Sequence, residues 1–349
     1  MPYDMRHWKN HRLWIRVQCI GLACLCCVLC ACQRTNEAVK TEDFAMAAQV
    51  TISLYTSPQQ AEELSGKIGD TIHDLETALS WRIEDSETAQ INRCAGDGTL
   101  VSAPAVAQLL EQVLPVTAAS GGKFQPVIGP LTRLWDIGGE HPRVPEQQEI
   151  DAVLPLVTEQ GLVVQGDMVS LPDQGQSIDL GAVGKGAACD YAQQLLEDTD
   201  IPAVLAVGGS VFTYGTKPDG SAWRIAVRDP GQSTATAGVL NLEGTNHIST
   251  SGGYERFFEQ DGVRYHHLLD PDTGRPGGGS WSSVTVICYS GALADALSTA
   301  VFLMEKEEGL ALLRSFDAQG VLIDEENGIT LTQGLEDCFS PSAGFTVAV

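Results

Sequence analysis

Positive charge is scarce in this chain. Lys and Arg number 21 against 45 Asp and Glu, a formal net charge of −24. Nucleic acid is therefore not an expected partner, and any anionic ligand needs a local cation or aligned backbone amides. Cysteine is sparse over most of the length. Of ten, six lie between Cys19 and Cys32, and the other four, Cys94, Cys189, Cys288 and Cys338, are scattered. Those four form no CxxC pair and have no His-rich partner region, so neither a zinc site nor a disulfide framework is indicated. The apolar run Ile20 to Ala31 is too short for a permanent bilayer-spanning helix.

That run has another meaning. Arg6, Lys9, Arg12 and Arg16 precede it against a single Asp4, the order of a secretory signal. It closes Leu29-Cys30-Ala31-Cys32, the pattern of a bacterial lipobox, in which the final cysteine is lipidated and becomes the new N-terminus. The alternative is an ordinary signal peptide with chance cysteines. Three segments are expected: a lipoprotein signal peptide over 1–31, a polar tether over 32–43, and a folded domain over 44–349. Without residues 1–31 the chain keeps 17 basic and 44 acidic residues, a net charge of −27. The expected location is the surface of a bacterial membrane, facing periplasm or exterior. Gln33 after Cys32 gives no inner-membrane retention Asp.

The stretch Ser282 to Met304, SSVTVICYSGALADALSTAVFLM, reads as a buried strand (Val284, Val286, Cys288), a turn at Ser290-Gly291 and a helix apolar almost all round. Asp295 and Thr299 interrupt it. Four residues apart, they offer one carboxylate and one hydroxyl oxygen to the same point of a helix face. No Lys or Arg stands at helical spacing, so the carboxylate needs another positive partner, and a hard cation qualifies. The other reading is an Asp that bonds loop amides, with Thr299 bonding its own helix carbonyl. Upstream, Ser177-Ile178-Asp179-Leu180-Gly181-Ala182-Val183-Gly184-Lys185-Gly186 runs into a helix expected over Ala187 to Leu196. Unpaired amides at that helix start, with Lys185, suit a phosphate; a mere tight turn is the plain alternative. It is not a Walker A loop, since Gly186 follows Lys185, nor GxGxxG, since Cys189 takes the last glycine's place.

Around these landmarks the pattern is mixed. A strand ending Val50-Thr51-Ile52-Ser53-Leu54 precedes a helix from Pro58 with Ala61, Leu64, Ile68, Ile72, Leu75 and Leu79 on one face. Glu84 to Asn92 reads as a solvated connection, and a second helix is expected from Ala103 to Ala119. Lys123 to Trp135, dense in Gly and Pro, reads as a rigid irregular path that either packs as a loop or holds a flat aromatic ligand. From Ala203 hairpin turns dominate, which predicts antiparallel pairing. His266 and His267, adjacent on one strand, point to opposite faces, so at most one serves any given site; a structural role is the ordinary one for such a histidine.

Read together, SGGKFQPVIGPLTRLW, IDLGAVGKGAACD, VGGSVFTYGTKPDGSAWRIAVRDP, ISTSGGYERFF, HLLDPDTGRPGGGSWSSVTV and ADALSTA resemble, in order, the motifs of the ApbE family, the FAD:protein FMN transferases. The resemblance runs from Phe44 to about Leu322. It implies an α+β fold of mostly antiparallel sheets with packed helices, a two-lobed domain related to the T-fold. It implies FAD as substrate, with the pyrophosphate beside a Mg²⁺ held by Asp295, Thr299 and the backbone carbonyl of Ala182. By the same resemblance Met46, Trp81, Lys123, Phe124 and Gln125 match flavin or adenine contacts, and Asp179, Lys185 and Leu269 match contacts from the loop and late strand. His267 is similar to the family's HxxDP histidine, implicated in transfer, and Asp295 is the second catalytic candidate. The family's MGT is Met46-Ala47-Ala48 here, a change expected to be mild. Its FDPT is Phe124-Gln125-Pro126-Val127, which keeps hydrogen bonding but drops a charge.

The implied reaction splits FAD at its pyrophosphate and moves FMN to a Ser or Thr hydroxyl of an acceptor protein, releasing AMP. Its barrier is one of in-line placement and neutralised phosphate charge. Attack by water would make the same site a FAD pyrophosphatase, and a lipoprotein that stores FAD without chemistry is a third reading. The N-terminal reading is checked directly: mass spectrometry of the membrane fraction should find diacyl or triacyl modification at Cys32, and an unmodified N-terminus downstream of it would refute the anchor.

Overall fold

Alternation and capping set the first elements of the computed structural model, which describes residues 37–232, 234–278 and 280–348. The expected signal peptide and Cys32 lie outside the described residues. β1 (Val39–Ala45) and β2 (Ala48–Leu54) form a hairpin, with Val50, Ile52 and Leu54 buried. Ordered chain thus begins before Phe44. Residues 39–43, expected in the tether, pair their backbone with β2 while their polar side chains stay mostly in solvent, so their composition hides the strand. α1 (Pro58–Leu79) starts where the Ser57 hydroxyl accepts from the Gln60 N–H and Pro58 presets φ. It buries Ala61, Ile68, Ile72, Leu75 and Leu79, the expected face.

Glu84 to Asn92 is more than a connection. The Ser86 hydroxyl accepts from the Ala89 N–H at 2.9 Å and caps α2 (Glu87–Arg93), which turns Thr88, Ala89 and Ile91 inward. Two turns hold too few apolar residues to show a period. β3 (Val101–Ser102) leads to α3 (Pro104–Ala119), as expected. The Gly- and Pro-rich path ends in a helix, α4 (Gly129–Trp135), followed by α5 (Gln147–Val153), β4 (Val163–Gln165) and β5 (Met168–Ser170). α6 (Gly184–Glu197) begins three residues earlier than expected, so Lys185 and Gly186 stand in its first turn.

The β-rich half holds β6 (Ala203–Val207), β7 (Ser210–Tyr214), β8 (Trp223–Arg228), β9 (Thr236–Leu242), β10 (Asn246–Gly252), β11 (Phe257–Gln260), β12 (Val263–His266) and β13 (Ser283–Cys288). α7 (Gly291–Phe302), α8 (Lys306–Ser315), β14 (Gln319–Ile323), β15 (Gly328–Leu331), β16 (Phe339–Pro341) and β17 (Thr346–Ala348) follow. Among the described residues, nine strands form one sheet in the order β1-β2-β6-β7-β10-β13-β14-β15-β17, antiparallel except at β15–β17. The mostly antiparallel α+β architecture is as the sequence predicted.

Strand alternation divides the core. Val284, Val286 and Cys288 of β13 join the main core with Leu293, Leu297 and Val301 of α7. Ile287 points the other way, into a second core with Ile248, Val321, Ile323 and Leu240 of β9. A helix layer thus lies on one face of the large sheet, and the small sheet β16-β9-β8 on the other. Asn92 ties α2 to the stretch before α6: its side chain donates to the Ile178 carbonyl at 3.0 Å and accepts from the Ile178 N–H at 2.7 Å.

The β1–β2 turn carries a cost. Met46 and Ala47 sit at φ +54° and +53°. The left-handed region costs a residue with a Cβ about 1–2 kcal/mol, and glycine nothing. Ala47 in place of the family's glycine is therefore not a mild change. Ala47→Gly is expected to stabilise the protein by up to about 1 kcal/mol, after allowing for the looser unfolded chain. A urea midpoint that stays put or falls would rule out strain at this turn.

Candidate active site

Asp295 is 3% exposed, and three protein donors meet it. The Gly186 N–H donates to Oδ2 at 2.6 Å, the Ser210 hydroxyl to Oδ1 at 2.7 Å, and the Ser249 hydroxyl also to Oδ1. Burial raises its pKa, against the pull of Lys185 and these donors. The loop-amide reading of Asp295 is thus partly realised. Thr299 behaves otherwise: its hydroxyl lies 3.4 Å from Ser251 Oγ, and the Asp295 carbonyl accepts from Ser298 instead. Ser251 and Ser298 are 2.8 Å apart, so buried hydroxyls link the two residues.

Helix start and strand end bring Lys185 and His267 into the same electrostatic neighbourhood. Lys185 makes no hydrogen bond or ion pair among the described residues, and its charge acts on both Asp295 and His267. His267 lies one residue past β12, with its backbone N–H and Nδ1 each 3.1 Å from the Arg256 carbonyl oxygen. Burial, then Lys185 and Arg256, push its pKa down to about 3. A carbonyl can only accept, so the neutral ring carries its proton on Nδ1 and leaves Nε2 as a free base. His266 turns elsewhere, its ring edge-on to Phe302 with centroids 5.8 Å apart. Arg256 also reaches the Met46 carbonyl at 3.5 Å, and a Cβ on Gly184 would stand 3.9 Å from Met46 Sδ, which places Met46 beside the start of α6.

A second cluster borders the same helix start. The Asp179 carboxylate accepts from Trp81 Nε1 at 3.1 Å and from the Gly181 N–H at 2.8 Å. Arg82 and Arg133 lie over the Trp81 ring at 4.3 and 5.1 Å. Ala182, exposed, sits between this cluster and Lys185 in sequence.

Other matched residues are engaged inside the fold. Lys123 is bound to Asp270 at 2.9 Å and Asp272 at 2.8 Å; burial lowers its pKa, but the two carboxylates outweigh that and raise it. Phe124 is packed in the main core, and Leu269 in a third cluster with Leu131, Trp135 and Ile150. Gln125 is buried, donating to Glu159 at 2.7 Å and accepting from the Val127 N–H at 3.0 Å. The Lys123 to Trp135 path therefore packs: Trp135 is fully buried and donates to the Gly274 carbonyl at 2.8 Å.

A family model described as the ApbE family matches residues 46–323. This chain belongs to the ApbE family. It is similar to the FAD:protein FMN transferase of Treponema pallidum, 30% identical over 90% of this chain and 93% of that protein. It is also similar to one from Klebsiella pneumoniae, 31% identical over 89% of this chain and 98% of that protein. The crystal structure of the ApbE protein of Thermotoga maritima superposes with a TM-score of 0.80 at 28% identity, covering 86% of this chain and 99% of that one. The apo flavinyl transferase ApbE of Pseudomonas stutzeri superposes at 0.76 with 30% identity, covering 88% and 98%.

The donor set can be tested against the Mg²⁺ that the family resemblance implies. No group of three or more His, Cys, Asp or Glu residues is placed to hold a metal among the described residues. One carboxylate with hydroxyl and carbonyl oxygens suits Mg²⁺, which keeps waters and takes substrate phosphates. The Asp295 Oδ2 retains a lone pair beyond its Gly186 bond, so the donor chemistry of this residue suits the ion. Sequence reasoning missed Arg256, Ser210 and Ser249. Ser249 and Ser251, two apart on a strand with Ile248 on the opposite face, were the readable signal of a polar inner face.

His267 has a pH signature. Its folded pKa is below the unfolded value of about 6.5, so the native state binds fewer protons. Its contribution to stability is complete above pH ~6.5 and is lost as pH falls towards about 3. His267→Gln should flatten the acid-side fall of Tm in that window relative to wild type. Parallel Tm profiles would exclude a ring held neutral in the folded protein.

Proposed function

We propose that this protein transfers the FMN part of FAD to a Ser or Thr hydroxyl of an acceptor protein, with Mg²⁺, and releases AMP. What carries the reading is a neutral His267 whose Nε2, like Lys185, has no hydrogen-bond or ion-pair partner among the described residues, in a chain whose relatives are named FAD:protein FMN transferases. The charge of Lys185 attracts the pyrophosphate; the cradle of unpaired amides expected at this helix start is not open, because the Gly184 and Gly186 N–H groups are taken by the Leu180 carbonyl and by Asp295. Trp81, oriented by Asp179, carries Arg82 and Arg133 over its ring, and a flat ligand would stack there in place of a guanidinium. The acceptor oxygen bonds to the FMN phosphorus, the bridging P–O bond breaks, and AMP departs with that oxygen. His267 Nε2 takes the hydroxyl proton. Asp295, Thr299 and the Ala182 carbonyl would hold Mg²⁺, which when bound neutralises pyrophosphate charge. Membrane attachment through Cys32 is part of the same proposal; no helix of the described residues is long and apolar enough to cross a membrane.

The assay combines FAD, Mg²⁺ and a candidate acceptor, and follows AMP together with a flavin-fluorescent acceptor band. AMP without a labelled acceptor would favour hydrolysis, and binding without AMP would favour storage. Because a base acts mainly in the transition state, His267→Ala should lose about 100- to 10,000-fold in transfer while binding FAD nearly normally. His266→Ala should transfer as wild type does. Loss of FAD binding in His267→Ala, with transfer kept at saturating FAD, would make the ring a ligand contact and not the base.

A further inference from the structure

α6 and α7 meet backbone to backbone. A Cβ on Gly186 would lie 2.0 Å from the Gly291 carbonyl oxygen, and one on Gly291 would lie 2.2 Å from that of Gly186. One turn along α6 from Gly186, Asp190 spans the crossing. Its Oδ1 accepts from the Gly291 N–H at 2.6 Å, and its Oδ2 from the Ala292 N–H at 3.0 Å and the Ser290 hydroxyl at 2.9 Å. The first amides of a helix have no partner within it. Here a neighbouring helix supplies one, while α7's own cap, the Ser290 hydroxyl, accepts from the Leu293 N–H at a long 3.4 Å.

His247 of β10 backs this carboxylate without competing for it. Its Nε2 is 2.7 Å from Gln193 Oε1, its ring stacks on Phe212, and Nδ1 lies 3.5 Å from Asp190 Oδ1 with no hydrogen bond among the described residues. Burial lowers its pKa, against the attraction of Asp190, so the ring is neutral and the carboxylate stays committed to α7.

Asp295 is one turn beyond Gly291, so the seating of α7 on α6 sets where Asp295 meets the Gly186 N–H. We propose that Asp190 is a positioning residue for the transfer reaction: by pinning the first turn of α7 to α6 it holds Asp295 and Thr299 where they can share a cation with the pyrophosphate. The inference rests on the FMN-transfer reading and adds to it a residue that acts through Asp295.

Asp190→Asn keeps the size of the side chain but turns one acceptor into an NH₂ group facing amide donors. FAD binding to the full chain is followed by flavin fluorescence as Mg²⁺ is raised, and again in EDTA. Outer partners of metal ligands typically matter by about 10- to 100-fold in metal affinity, so the Mg²⁺ midpoint should rise by that factor while FAD affinity in EDTA changes little. An unmoved midpoint, or an equal loss with and without Mg²⁺, would overturn the proposal, the latter because it marks general damage. Should Asp190→Asn not fold, Ser290→Ala removes one donor of the pin and should shift the midpoint the same way by less; no shift there overturns the proposal equally. A wild-type protein whose FAD binding ignores Mg²⁺ would bring down the transfer reading and this inference with it. A Mg²⁺-dependent wild type with unmoved variants brings down the inference alone.

Discussion

Two glycines in backbone contact set the terms for everything else in the site. At Gly186 and Gly291 a methyl group on either residue would overlap the other's carbonyl, so α6 and α7 approach as closely as peptide groups allow. That approach is what lets the Gly186 N–H reach the Asp295 carboxylate at 2.6 Å, with Lys185 standing one residue before it. A side chain at either glycine would part the helices by more than a hydrogen bond can stretch, leaving a buried carboxylate short of a donor. Such a loss costs about 1–3 kcal/mol, or more for a charged group. Asp295 is therefore held by the crossing, and replacing it with alanine would strand the Gly186 N–H and the Ser210 hydroxyl, while Ser249 would keep its 3.3 Å contact with Ser298.

The electrostatics of the site run against those of the chain. A protein of net charge −24 gathers Lys185 and Arg256 around His267, with Met46 beside Arg256. Those cations help to keep His267 neutral, which makes Nε2 available but weakly basic in the free protein. An anion bound among them offsets their field, and a nearby negative charge raises a histidine's pKa. In the proposed reaction His267 would thus gain basicity when the pyrophosphate arrives. Coupling of this kind needs no moving part; it follows from placing the base and the anion's cations within reach of each other.

Long periodic segments of the chain were legible in its sequence, and short or polar ones were not. α1 and α3 announced themselves through apolar spacing and an entry proline, and Ser282 to Met304 resolved into β13 and α7 as read. β1 escaped because an edge strand can satisfy its backbone while its side chains remain polar. α2 escaped because seven residues cannot show a helical period. Within the site, Asp295, Thr299, Lys185 and His267 were named from spacing and resemblance. Arg256, Ser210, Ser249 and Asp190 enter through contacts between residues 11 to 210 positions apart, from Arg256 with His267 to Arg256 with Met46, which no local pattern encodes.

Gln125 shows how a departure from a family motif can be complete in itself. Its carbonyl oxygen accepts the Val127 N–H at 3.0 Å, a bond that a carboxylate oxygen could equally accept. Its NH₂ group donates to Glu159 at 2.7 Å, and there an acid would fail: two carboxylates at that distance repel, and both are partly or fully withdrawn from water. Gln125 and Glu159 are thus a matched pair, the amide keeping the turn closed while the carboxylate 34 residues on supplies a charge at the same place. The charge that Gln125 does not carry stands beside it on Glu159, in the loop before β4, and the Val127 N–H keeps its bond across Pro126.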